Sequence, residues 1–140
     1  SATKLKAIQL GIKKPILLGV TVLTSMDIKE LQTIYDTKRD LESQIIHLAK
    51  LAKSAGLDGV VASPKEIKLI RSELGNDFVI LTPGVRIEKL AGDDQKRVMT
   101  PSQAFLDGAD YIVIGRPIYQ SPDPADTFEN ILQQIKSDIK

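Results

Sequence analysis

The hydrophobic pattern alternates between two kinds of stretch. Short, unbroken apolar runs predict strands: Ile16–Leu23, Asp58–Ala62, Phe78–Leu81 and Tyr111–Ile114. Between them, apolar residues recur at helical spacing. Leu41, Ile45, Leu48, Ala49 and Ala52 form one stripe, Ile67, Ile70 and Leu74 a second, and Phe128, Ile131, Leu132, Ile135 and Ile139 a third. Residues 1–12 read as a helix end, with Leu5 and Ile8 on one face and Gly11 as the stop, and a short helix is expected over 28–35.

Local signals set the boundaries. Thr24-Ser25-Met26-Asp27 offers several caps for the short helix, and Gly56 closes the Leu41 helix. Ser63-Pro64-Lys65-Glu66 is a capping box with proline at the first helical position, which accounts for Ser63 without a ligand. Thr100-Pro101-Ser102-Gln103 is a second box, for a helix that stops at Gly108, and Asp123-Pro124-Ala125-Asp126 opens the last helix. Ile87–Met99 is polar and without period, a long loop of the kind that often carries function. One helix followed by four strand–helix units implies a parallel sheet covered by helices.

Composition narrows the chemistry. The 140 residues are one domain or part of one, and 19 basic against 18 acidic residues argue against an electrostatic nucleic-acid or membrane-surface binder. Without cysteine there is no disulfide, thiolate metal site or cysteine nucleophile. His47 is the only histidine and lies off its helix's apolar stripe, which reads as a surface or interface position. No run nears the ~18 apolar residues of a membrane span and no leader pattern opens the chain, so a soluble cytoplasmic protein is expected.

Ligands of parallel α/β proteins bind at the carboxyl ends of the strands. The polar residues expected there are Thr24 and Ser25, Ser63, Thr82 and Arg86, then Gly115 and Arg116, with Gln95 on the long loop. Tyr111–Ile114, read as a strand buried on both faces, runs straight into Gly115-Arg116-Pro117. Glycine admits close approach to the backbone, a helix start offers N–H groups, and arginine presents a fork that suits phosphate. A solvated arginine in a tight turn fits the same residues. Asp93 and Asp94 read as a carboxylate pair or a solvated turn. Lys13, Lys14, Lys65 and Lys89 lie in polar stretches that would not tune a lysine.

Val20–Met26, Gly56–Val61, Leu81–Arg86, Asp94–Pro101 and Gly108–Ile118 together resemble the orotidine 5′-phosphate decarboxylase family, in family order and over nearly the whole chain. The resemblance implies a dimeric TIM-type (β/α)8 barrel that converts orotidylate to uridylate without a cofactor. It also implies substrate-binding roles: Gly115 and Arg116 on the phosphate, Gln95 and Arg86 at the phosphate end of the nucleotide, and Thr24 on the pyrimidine amide edge. The family's catalytic Lys-Asp motif, at the end of the third barrel strand, has no match. The four units correspond to strands five to eight, a half-barrel, where a complete barrel needs ~200–250 residues.

The expectation is therefore the second half of such a barrel, with no catalytic residue and no metal ligand of its own. Its ligand would be orotidylate, uridylate or another phosphate compound. It would work with a separately encoded N-terminal half, serve as a binding module, or persist as an inactive remnant. A barrel acting on sugar phosphates fits the Thr24-Ser25 and Asp94–Arg97 stretches less well. Open strand edges at Ile16–Leu23 and Tyr111–Ile114 predict a homo-oligomer whose chains cover each other's inner faces.

Overall fold

The computed structural model describes residues 2–23, 26–85 and 99–139. Helix α1 (Ala2–Gln9) precedes β1 (Leu18–Val20), α2 (Ile28–Ile34), α3 (Leu41–Ser54) and β2 (Gly59–Val61). A single 3-10 turn (Pro64–Glu66) then leads into α4 (Ile67–Leu74), and β3 (Val79–Pro83), α5 (Pro101–Leu106), β4 (Tyr111–Val113), α6 (Arg116–Tyr119) and α7 (Pro124–Asp138) follow. The four strands form one sheet in the order β1-β2-β3-β4, parallel at every pairing. This is a (β/α) half-barrel.

The predicted caps form. Asp27 and Glu30 make a reciprocal box on α2, and Ser63 and Glu66 make one on the 3-10 turn. Thr100 caps α5 through the Gln103 N–H, while the Gln103 side chain turns to Asp107 instead of closing the box. The core lies between helices and sheet. Ile45 and Ala49 of α3, Ile67 and Ile70 of α4, and Val60 and Ile80 of the central strands are fully buried. Burying each large aliphatic side chain contributes roughly 1.5–3 kcal/mol, so these helical stripes hold the layers together.

The strands are shorter and more open than their apolar runs suggest. Ile16–Leu23 contains only a three-residue strand, with Ile16, Val20 and Leu23 all exposed. Tyr111–Ile114 is not buried on both faces, because Tyr111 and Val113 are exposed and Ile112 faces the helices. Leu5 and Ile8 are exposed, and Ala7 is the buried residue of α1. In the α7 stripe Ile131 is buried but Phe128 and Ile139 are not. One cause explains all four cases: helices cover a single face of the sheet, and the apolar positions of the other face and the flanks meet no partner among the described residues.

Both strand pairs are tied at their amino ends in the same way. Glycines at positive φ, Gly56 (78°) and Gly108 (110°), turn the chain out of α3 and α5, and an aspartate two residues later begins the next strand. The Asp58 Oδ2 accepts the Leu17 N–H at 2.8 Å, and the Lys4 Nζ donates to the Asp58 Oδ1 at 2.6 Å and to the Gly56 carbonyl. The Asp110 Oδ2 accepts the Ile80 N–H at 2.7 Å, and Arg71 donates to Asp110 and to the Gly108 carbonyl. Arg71 also donates to the carbonyls of Gly75, Asn76 and Phe78. Between the pairs, Gly59 faces β3 so closely that a Cβ there would lie 2.0 Å from the Val79 carbonyl oxygen.

Candidate functional site at the carboxyl ends of the strands

All four strands deliver their carboxyl ends to one rim. After β1 the Thr21 N–H and hydroxyl both donate to the Val61 carbonyl at 3.2 Å, locking the departing chain to β2. Val22 turns into the core and Leu23 stays exposed. After β2, Ala62 donates to the Leu81 carbonyl, and Ser63 enters its capping box, donating its N–H to the Glu66 carboxylate at 2.8 Å. Burial raises the Glu66 pKa, partly opposed by that N–H. Ser63 is thus a cap, as its spacing predicts. After β3, Gly84 turns at φ 78° and Val85 is buried.

The β4 rim carries the expected cation. Ile114 is half-buried, and Gly115 and Arg116 are exposed at the start of α6. Pro117 has no N–H, so the backbone donors at the head of this turn are those of Gly115 and Arg116. Among the described residues no carboxylate lies within 4.0 Å of the Arg116 guanidinium. A Cβ on Gly115 would meet only Tyr119 Cε1, at 3.7 Å, and its φ is −109°. Neither packing nor φ demands glycine here, which leaves close approach of a ligand as the physical reason for one.

Gly115 and Arg116 are the two predicted ligand residues that the structure describes. Thr24, Arg86 and Gln95 lie outside the described residues, as do Ser25, Lys89, Asp93 and Asp94. Thr82 is fully buried on the helix side of β3, so it is a core hydroxyl and not a rim group. His47 is half-buried on α3, away from the rim. A small apolar concavity at the rim is lined by Val20, Val22, Leu23, Val61, Ala62 and Pro83. A larger one opens at the amino ends, around Ile16, Leu57, Asp58 and Phe78. The rim is the better candidate, because parallel α/β sheets present loops, helix starts and Arg116 there.

The residues that sequence reasoning missed are the amino-end ties. Their signal was present as a repeat, Gly56-Leu57-Asp58 and Gly108-Ala109-Asp110, each ahead of an apolar run.

Comparison with known proteins matches this architecture. The chain is 50% identical over 126 residues to orotidine 5′-phosphate decarboxylase from Dictyoglomus turgidum, covering 90% of this chain and 52% of that protein. It is 46% identical over 136 residues to the enzyme of the same name from Moorella thermoacetica, covering 97% and 54%. The crystal structure of orotidine 5′-phosphate decarboxylase from Lactobacillus acidophilus superposes with a TM-score of 0.76 at 36% identity, covering 89% of this chain and 51% of that one. The structure from Pyrococcus horikoshii, at 24% identity and TM-score 0.63, shares the fold and covers 94% and 55%. The chain thus spans about half the length of the curated relatives it matches. Residues 2–131 match the description orotidine 5′-phosphate decarboxylase / HUMPS family, and the chain belongs to that family.

Proposed function

We propose that this chain supplies the phosphate-gripping side of an orotidylate decarboxylase site and does not decarboxylate orotidylate by itself. The observation that carries the reading is the exposed Gly115-Arg116 turn at the carboxyl end of β4, in a chain of this family. Arg116 would hold the phosphate through a charge-assisted fork, with the Gly115 and Arg116 N–H groups completing the cradle. By the family resemblance, Arg86 and Gln95 would hold the same end of the nucleotide and Thr24 the pyrimidine amide edge. All five grip groups remote from the bond that breaks.

Losing carbon dioxide leaves an electron pair on the pyrimidine ring carbon, which a proton must then quench. A catalyst lowers that barrier with charges fixed where charge changes, and a proton donor beside the same carbon. Remote phosphate binding accelerates the step only when it is coupled to such groups. The family's lysine and aspartates belong to the end of the third barrel strand, and the four units here match strands five to eight. The decarboxylating groups would come from an N-terminal half-barrel.

Titration calorimetry with uridylate tests the grip. A charge-assisted hydrogen bond contributes roughly 1.5–3 kcal/mol, so Arg116→Ala should weaken binding about ten- to a hundred-fold. Equal affinities would remove Arg116 from the site. Loss of orotidylate absorbance, followed with this chain alone, should stay at background, and robust turnover would show that the catalytic groups lie within it. A phosphate-binding module without catalysis is the second reading, favoured by the chain's match to half of each relative. It predicts the same binding but no turnover when a family N-terminal half is added.

A further inference from the structure

The sheet face opposite the helices is uncharged and open. Val20 on β1 is 60% exposed, and Tyr111 and Val113 on β4 are 48% and 46% exposed, with Val61 and Leu81 half-buried between them. Among the described residues, β1 pairs only with β2 and β4 only with β3, so both edges carry unpaired backbone groups. The two edge strands have equal length, three residues each. Unpaired edges beside an apolar face recruit another strand.

We propose that the occupant of this face is a second copy of the chain, related by a twofold axis that runs along the strands. Parallel sheets constrain the choice. An axis perpendicular to the strands would set the joined edges antiparallel. An axis along them keeps all eight strands in one direction, adds β4 of each copy to β1 of the other, and uses every open edge once. Each chain brings four strands, half of an eight-stranded barrel, and it superposes on 51% of a solved family structure. Because the inner face is uncharged, it meets its own image without like-charge repulsion. The exposed apolar residues of the flanks would meet over each seam, Leu5 and Ile8 of α1 against Phe128 of α7. Such a dimer carries two Gly115-Arg116 turns on one rim, each beside the partner's β1 end. This inference does not depend on the phosphate reading, and its test uses no nucleotide.

Sedimentation velocity of the unmodified chain at micromolar concentration should give a dimer. Val113→Lys, which would bury an unpaired charge at the seam, should weaken dimerisation at least about tenfold, with helical circular dichroism retained. The chain has no cysteine, so a Val20→Cys/Val113→Cys variant reports cleanly. Within one copy these positions lie on opposite edges, about 14 Å apart at ~4.8 Å per strand step, beyond disulfide reach. Oxidation should therefore give covalent dimers. Three results would overturn the proposal: a monomeric unmodified chain, an open series of growing oligomers, or a monomer that pairs only with the N-terminal half of the Lactobacillus acidophilus enzyme.

Discussion

The β1–β2 and β3–β4 pairs use one fastening device with two different cations. In each, an aspartate at the start of the second strand accepts an N–H from the first, and a cation from the preceding helix joins that aspartate to a glycine carbonyl. Lys4 serves the first pair with a point charge and two contacts. Arg71 serves the second with a planar fork that gathers five acceptors, three of them carbonyls in the passage from α4 to β3. The lysine joins a helix to one turn. The arginine also organises the chain reversal that feeds the next strand, and it is the more buried of the two cations. The same device therefore carries unequal weight, and the difference follows from guanidinium geometry.

Truncation should break the comparison most visibly. Arg71→Ala leaves Asp110 and several carbonyls short of a donor and should cost roughly 2–4 kcal/mol in urea unfolding. Lys4→Ala should cost clearly less, and equal losses would mean that the extra carbonyl contacts contribute nothing. A smaller effect should appear in the pH dependence of β2. The Leu17 N–H, and after it Lys4, lower the Asp58 pKa. Its stabilisation is therefore present above the ordinary carboxylate range and lost as pH falls through the depressed folded value. Beyond the other end of β2, burial raises the Glu66 pKa. Its carboxyl favours the folded state most in acid, and that advantage fades as pH rises through the folded value. Relative to the unmodified chain, Asp58→Asn should lose stability above the carboxylate range and recover in acid. Glu66→Gln should improve as pH rises. Parallel thermal unfolding scans from acid to neutral would expose any deviation from these opposite slopes. The smallest effect is expected of Lys4→Arg, within about 0.5 kcal/mol, because the first turn offers the fork few further acceptors.

Element type and order were legible because helices and strands differ in period, and Ser63, Asp27 and Thr100 announced their caps locally. Strand extent was not. Ile16–Leu23 and Tyr111–Ile114 look like fully buried strands because their inner positions are apolar, yet Val20 and Val113 are exposed on a face that nothing in this chain covers. Apolarity records what a residue can be packed against, and a single chain need not provide it. Gly115 and Arg116 were found because backbone freedom and charge adjoin at a strand end. Thr82 misled because a hydroxyl beside a rim looks the same in sequence whether its side chain faces the ligand or the helices. The ties at Asp58 and Asp110 join residues more than thirty positions apart, and only their repeated Gly-X-Asp spacing marked them.

Gly59 leaves no space for even a methyl group beside β3. Most of the barrel wall can absorb substitution by small adjustments of side chains, but this position answers through the main chain: alanine would have to pry β2 from β3. In a library selected only for folded protein, Gly59 should stay invariant while neighbouring Val60 and Val61 drift among aliphatic residues, making it a sentinel of sheet integrity that requires no assay of ligand or catalysis.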